Sequence, residues 1–388
     1  MGRKVPPVTS LVLDIARFVL ALSVALGHWT QGYFQSTWPD MTNAAIAAVG
    51  GFFVLSGYTI RLLTPAGEGF SGVSFFVERL SRLWSVALPA LLITILLDLT
   101  SHQINPDYYN QMWGVFTTHP LFRIVVNVGF ISQCWGWDIK PFSNSPFWSL
   151  SYEAGFYLLY GLFRALRGWR RTVALFVVAL ALGPNILLML LVWLSGVALY
   201  DVTDRMPRTG SLWRRIALAT GVAAFIAWFA FGPAIPLSHQ LTEHINATFA
   251  SAQSSLRLGP LRLDPRRIDG YLLFGALGFW LLFATLLPLC RELDHRLTLP
   301  KRLLRLGRAA GNYTFPLYLL HFPLFVLMGA LGLYDRESVP QKLLVFALVC
   351  GAIVLVSPVF DICKFALRRS LEATIRRFQA PVDLKRPV

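Results

Sequence analysis

Asp14, Arg17 and His28 interrupt an otherwise apolar run near the start of the chain, Leu11 to Trp29, which reads LVLDIARFVLALSVALGHW. The run is long enough to cross a bilayer, which takes about 20 mostly apolar residues. An ionisable side chain at that depth costs at least ~2.5–3.5 kcal/mol, so it marks a functional site by default. On a helix, the eleven steps from Arg17 to His28 return to within ~20° of the same face and advance roughly 16 Å. Asp14 lies one turn before Arg17, at a spacing where carboxylate and guanidinium neutralise each other. One face therefore carries a charge pair near one end and a titratable imidazole near the other. That is the pattern of a site reached from both sides of a membrane. A later segment, Phe147-Trp148-Ser149-Leu150-Ser151-Tyr152-Glu153, supplies a carboxylate. Entering from the outer face, it places Glu153 about two turns deep, near the depth of His28, and on one helix face with Ser149 at i,i+4. A carboxylate there would orient and polarise His28 as a general base. The alternative is a buried carboxylate paired with some other span.

Three further groups bear on chemistry. Phe52-Phe53-Val54-Leu55-Ser56-Gly57-Tyr58 places small residues where helices can approach closely. Ser56 and Gly57 there serve either packing or a site. Glu78-Arg79-Leu80-Ser81-Arg82 sets two arginines on one helix face at the expected cytoplasmic mouth of the third span. Arg79 and Arg82 would grip a phosphate, which favours guanidinium forks; topological anchoring or lipid headgroup contact explains them equally. Tyr318-Leu319-Leu320-His321-Phe322-Pro323 brings a second histidine to mid-membrane, as a participant or as a structural hydrogen-bonding group.

The elements that must position these residues follow from composition. The chain has 388 residues, 55% hydrophobic and only 14% charged, with mean hydropathy +0.56. Soluble domains carry nearer ~25% charged residues, so the expected class is a polytopic membrane protein. The net charge of +15 comes largely from Lys and Arg in short loops between apolar spans. Positive-inside topology explains that more simply than nucleic-acid binding. Cys134, Cys290, Cys350 and Cys363 form no CxxC and imply neither a disulfide framework nor a zinc site. The start resembles a signal peptide, but Asp14 and Arg17 break its apolar core, and it is read as a retained first span.

Apolar segments run at about 11–30, 44–63, 83–99, 121–136, 148–165, 172–200, 215–232, 270–290, 313–333 and 341–364. Arg3 and Lys4 place the N-terminus in the cytoplasm, and the basic loops 61–82, 164–171, 205–215 and 291–308 follow it there. That pattern requires 121–136 not to cross and 172–200 to split at the turn Gly183-Pro184-Asn185. The loop 233–269 then falls outside despite its four arginines. The expected fold is an all-α polytopic membrane protein of about ten transmembrane helices, with one re-entrant or interfacial segment. It forms a single transmembrane domain over 1–388, with cytoplasmic tails at about 1–10 and 366–388. Gly67-Glu68-Gly69-Phe70-Ser71-Gly72 fits GxGxxG, but no βαβ unit surrounds it, so a dinucleotide site is dismissed. Asn246-Ala247-Thr248 and Asn312-Tyr313-Thr314 are sequons by pattern only. No Walker A, HExxH or GxSxG occurs, and no metal chemistry is expected.

In order and spacing these pieces resemble the acyltransferase-3 family of integral-membrane O-acyltransferases. The match is Arg17 followed, ten residues intervening, by His28, then FFVLSGY at 52–58, RLSR at 79–82, FWSLSYEAGFY at 147–157 and YLLHFPLF at 318–325. Tyr58 stands where the family commonly has Phe. The resemblance implies roughly ten spans and transfer of an acyl group, often acetyl from acetyl-CoA, to a hydroxyl of a surface or secreted glycan or lipid-linked saccharide. It implies that His28 and Arg17 are essential and that Arg79 and Arg82 meet the CoA. Glu153 is then the expected support of His28, with Asp14, Ser56, Ser149, Tyr318 and His321 around the site. The expected location is a bacterial cytoplasmic membrane, both termini cytoplasmic, the lipid bilayer as surroundings and no nucleic acid as partner. The competing class is a transporter or flippase of lipid-linked saccharide, which also buries charge among many spans. The absence of an apparent internal repeat and the paired arginines count against it.

Overall fold

The computed structural model describes residues 5–31, 34, 40–64, 69–113, 118–206, 212–231, 240, 242–244, 247, 270–333, 335 and 337–379. Arg3 and Lys4, Gly67-Glu68, most of the 233–269 loop with Asn246, and the tail beyond 379 lie outside the described residues. Among those residues the regular structure is helical, with no strand. The helices are α1 (Pro7–Trp29), α2 (Thr42–Leu63), α3 (Gly72–Ile104), α4 (Pro106–Trp113), α5 (Pro120–Val128) and α6 (Trp148–Ala165). They continue as α7 (Gly168–Leu182), α8 (Pro184–Arg205), α9 (Leu212–Phe231), α10 (Gly270–Arg296), α11 (Lys301–Ala330) and α12 (Val339–Gln379). Seven of them, α1, α2, α3, α8, α10, α11 and α12, are long and apolar enough to cross a membrane. The protein is a multi-pass membrane protein.

Local sequence explains where these helices begin and break. Pro7, Pro120 and Pro184 open α1, α5 and α8, where a missing N–H is no loss. The long apolar stretch after 172 divides at Gly183, whose φ of +84° suits glycine, so α7 ends and α8 begins at the expected turn. α3 differs from expectation. Ser71 accepts from the Ser74 N–H and caps a helix of 33 residues, so Arg79 and Arg82 lie two to three turns inside it and not in a loop. Clustered arginines mark where charge is wanted, but they are good helix formers and do not mark a helix end.

The 121–136 segment forms only α5, nine residues or roughly 13 Å, under half the hydrocarbon thickness. The chain from 129 to 147 then has only two 3₁₀ turns, Cys134–Gly136 and Ser145–Phe147, and is otherwise irregular, with left-handed residues at Phe130, Trp135 and Phe142. It is tied to α3 by buried polar groups. Asp98 accepts from the Ser143 N–H (2.8 Å), the Ser143 hydroxyl (2.6 Å) and the Tyr109 hydroxyl (3.0 Å). Asn144 donates to Thr94 Oγ1 (2.8 Å) and to the Leu319 carbonyl (2.9 Å). That carbonyl lacks its usual helical donor because Pro323, four residues on, has no N–H. In α12 the Ser357 hydroxyl does the same for Val354, freed by Pro358. Irregular backbone among spanning helices requires such substitute partners.

α1 packs between α2 and α11; α2 also packs on α8 and α10, and α3 on α6, α11 and α12. α2 and α8 meet through glycine: a Cβ on Gly57 would run into the Trp193 carbonyl, and one on Gly196 into the Val54 carbonyl. Small residues thus fix the height of one helix against the other. Nearer the end of α2, Arg61 pairs with Asp201 of α8 at 2.8 Å.

Candidate active site

One cavity lies between α1, α2, α3, α6 and α11. Arg17, Ser56, Arg82, Ser149, Glu153 and Tyr318 all line it, together with Thr59, Tyr157 and Phe315. Five helices separated widely in sequence thus bring six of the expected site residues to one passage.

At one end, Arg17 pairs with Asp14 at 3.2 Å, as the i,i+3 spacing implies. Its other terminal nitrogen donates to Thr59 Oγ1 at 2.6 Å. Thr59 in turn donates to the Leu55 carbonyl at 2.7 Å, so its lone pair faces the guanidinium. The Arg82 guanidinium sits over the Phe315 ring at 5.2 Å, with no ion pair among the described residues. Arg79 is placed differently. It is buried, its guanidinium 5.7 Å and 5.9 Å from the rings of Phe75 and Tyr157, with a 3.4 Å contact to Glu78, and it does not line the cavity. Residues three apart on a helix differ by about 60° in direction. Arg82 is thereby turned to α11 and Arg79 to α6, and the expected paired grip is divided.

In the middle, Glu153 accepts a short hydrogen bond from the Tyr157 hydroxyl and one of 3.4 Å from Ser56. Trp193 Nε1 donates to Ser56 Oγ at 3.1 Å and closes the cluster. The expected Glu153–His28 bond is therefore replaced. Tyr157 stands four residues along the same helix and takes the carboxylate locally. Depth explains why His28 does not. Tyr318 donates to Ser149 at 2.9 Å, which aligns those two residues. Glu153 lies four residues from Ser149 in one direction, and His321 three residues from Tyr318 in the other. At 1.5 Å per residue that separates Glu153 from the histidine level by roughly 10 Å.

At that level His28 Nδ1 and His321 Nε2 are 2.8 Å apart. The ring centroids are 5.1 Å apart with planes 23° from parallel. With the bonded nitrogens that close, the rings meet edge to edge along the hydrogen bond and are not stacked face to face. His321 is wholly buried, and its Nδ1 lies 2.7 Å from the Leu317 carbonyl. Phe322 packs on His28 edge-to-face at a centroid distance of 5.1 Å, and Phe325 on His321 at 5.8 Å. His28 is part-buried beside them.

Sequence reasoning named His321 but not its bond to His28, and it missed Thr59, Tyr157 and Trp193. Tyr157 had a signal in its i,i+4 relation to Glu153. Thr59 and Trp193 reach their partners across 42 and 137 residues, and no local pattern marks them. Cys134, in a turn outside the spanning helices, is off the cavity, and burial pushes its thiol up to about 11. Among the described residues no three His, Cys, Asp or Glu side chains converge as metal ligands. The cavity thus offers cationic forks at one end, a hydroxyl–carboxylate cluster midway, and the hydroxyls of Ser149 and Tyr318 at the other; His28 and His321 lie beyond those hydroxyls and do not line it.

Compared with protein-family models, residues 11–361 match one described as an acyltransferase domain. Searches of curated proteins and of solved structures return no match.

Proposed function

The chain belongs to the acyltransferase-3 family, and from that premise we propose that it moves an acyl group, acetyl in the first instance, from acyl-CoA to a saccharide hydroxyl. The observation that carries the proposal is the shared cavity. Arg17 and Arg82 line one end, while Ser149 and Tyr318 line the other, one turn short of His28 and His321. The roughly 16 Å from Arg17 to His28 along α1 suits a donor whose phosphates stay at the arginines while its thioester arm reaches the imidazole.

In this reading Arg17 and Arg82 hold the CoA phosphates, with Asp14 and Thr59 fixing Arg17. Glu153, placed midway by Tyr157 and Ser56, accepts from amide N–H groups of the arm. His28 removes the proton of the acceptor hydroxyl as its oxygen attacks the thioester carbonyl. The new C–O bond forms, the C–S bond breaks, and the proton passes from His28 to the departing CoA sulfur. The acceptor is a glycan or lipid-linked saccharide reaching the histidines from the outer face.

The proposed topology adds α6, α7 and α9 to the seven long apolar helices, giving ten crossings. α4, α5 and the 129–147 chain then stay on the outer side, and both termini are cytoplasmic, consistent with the arginines at 164–171 and 291–308. The proposed setting is a bacterial cytoplasmic membrane.

The test is His28→Ala. Acylation of the native glycan, followed by mass spectrometry in a deletion strain, should fall by on the order of 10²–10⁴, the usual contribution of a general base, with membrane insertion intact. Near-normal acylation would remove His28 from the chemistry.

A further inference from the structure

A histidine acting as base must present a lone pair to the acceptor, and which nitrogen carries it depends on what the other nitrogen bonds. The chain of contacts here determines that. The Leu317 carbonyl can only accept, so His321 Nδ1, 2.7 Å away, is the protonated nitrogen. Neutral His321 then has its lone pair on Nε2. His28 Nδ1, 2.8 Å from that lone pair, must be the donor. His28 is thereby left with its own lone pair on Nε2.

We infer that His321 is a positioning residue, which fixes His28 in the Nδ1–H tautomer and accepts from that N–H while His28 Nε2 takes the acceptor's proton. The inference rests on His28 being the base. No proton transfers onto His321: Nδ1–H stays on His28, and the proton gained at Nε2 leaves with the CoA thiol. The arrangement has the logic of a base oriented by a third group, with an imidazole in the place usually held by a carboxylate. The surroundings hold His321 to that task. Asn144 binds the Leu319 carbonyl freed by Pro323, which ties the helix beside His321 to Thr94 of α3. Phe325 packs against the His321 ring at a centroid distance of 5.8 Å.

The experiment compares His321→Phe, His321→Gln and His28→Ala as purified full-length protein, with kcat and KM for acetyl-CoA measured on the isolated glycan. Phenylalanine fills the space but accepts nothing; glutamine places an amide oxygen near the lost Nε2. The expected result is a ten- to hundredfold fall in kcat for His321→Phe, with KM for acetyl-CoA unchanged. His321→Gln should recover most of the loss. ¹⁵N spectra of histidine-labelled protein should show His28 as the single Nδ1–H tautomer in the wild type and in His321→Gln. A normal kcat in His321→Phe beside an inactive His28→Ala overturns the inference while leaving His28 as base. An active His28→Ala overturns both. If His321→Phe does not fold, His321→Gln decides: folded and active with the Nδ1–H tautomer supports the inference, and folded but inactive overturns it.

Discussion

Replacing Arg82 with lysine tests whether the divided arginine pair means what its geometry implies. Arg82 lines the cavity and rests on Phe315 at 5.2 Å, without an ion pair among the described residues. Arg79 is buried against Phe75 and Tyr157 and lies off the cavity wall. Lysine keeps the charge that anchors topology, so insertion should be unaffected at either position. It loses the planar fork that binds phosphate oxygens. One charge-assisted hydrogen bond is worth roughly 1.5–3 kcal/mol, or on the order of ten- to a hundredfold in affinity. Arg82→Lys should therefore weaken acetyl-CoA binding by that factor, read by titration calorimetry on protein in detergent, with only the smaller loss of thermal stability that its single ring contact implies. Arg79→Lys should do the reverse. Its guanidinium loses contact with two rings, each worth about 0.5–2 kcal/mol, so the unfolding temperature should fall while affinity holds. Wild-type affinity in Arg82→Lys would refute the placement of the phosphates there. Equal losses of affinity in both variants would restore the pair acting together.

Gly57→Ala should destabilise the protein by about 1–3 kcal/mol, the usual cost of overpacking, because the added methyl meets the Trp193 carbonyl and rigid backbone must shift. Thermal unfolding in detergent checks this, and wild-type stability would refute a backbone contact that fixes the α2–α8 crossing. Single cysteines introduced at Asp107 and Lys140 should both be labelled by a membrane-impermeant reagent from the outer face. Labelling from opposite faces would make the 120–136 stretch a crossing segment and reverse the direction of α6.

That Arg17, Ser56, Arg82, Ser149, Glu153 and Tyr318 belong together was legible in the sequence, and one cavity is lined by all six; which partners they take was legible only in part. Asp14 with Arg17 could be read because both lie on one helix, where spacing alone sets contact. The break at Gly183-Pro184 and the close approach at Gly57 were local as well, written in residue types that permit little else. Glu153 was also recognisable, since a carboxylate in an apolar span is too costly to be incidental. Its partner was not. Assigning it to His28 required knowing the height of α6 against α1, and the direction of approach gave that only to within about two turns. An error of two turns is roughly 10 Å on a helix, more than three times the 2.8 Å that joins His28 to His321. The heights are set by contacts such as Gly57 on Trp193 and Asn144 on the Leu319 carbonyl, which join residues 136 and 175 positions apart. Arg79 and Arg82 part at a smaller scale for a related reason. Sharing a face left about 60° between them, enough to send one to the cavity and the other to an aromatic slot. In a membrane bundle the cost of burying a polar group reveals that it matters, whereas helix height and rotation decide what it touches, and both are properties of distant backbone contacts.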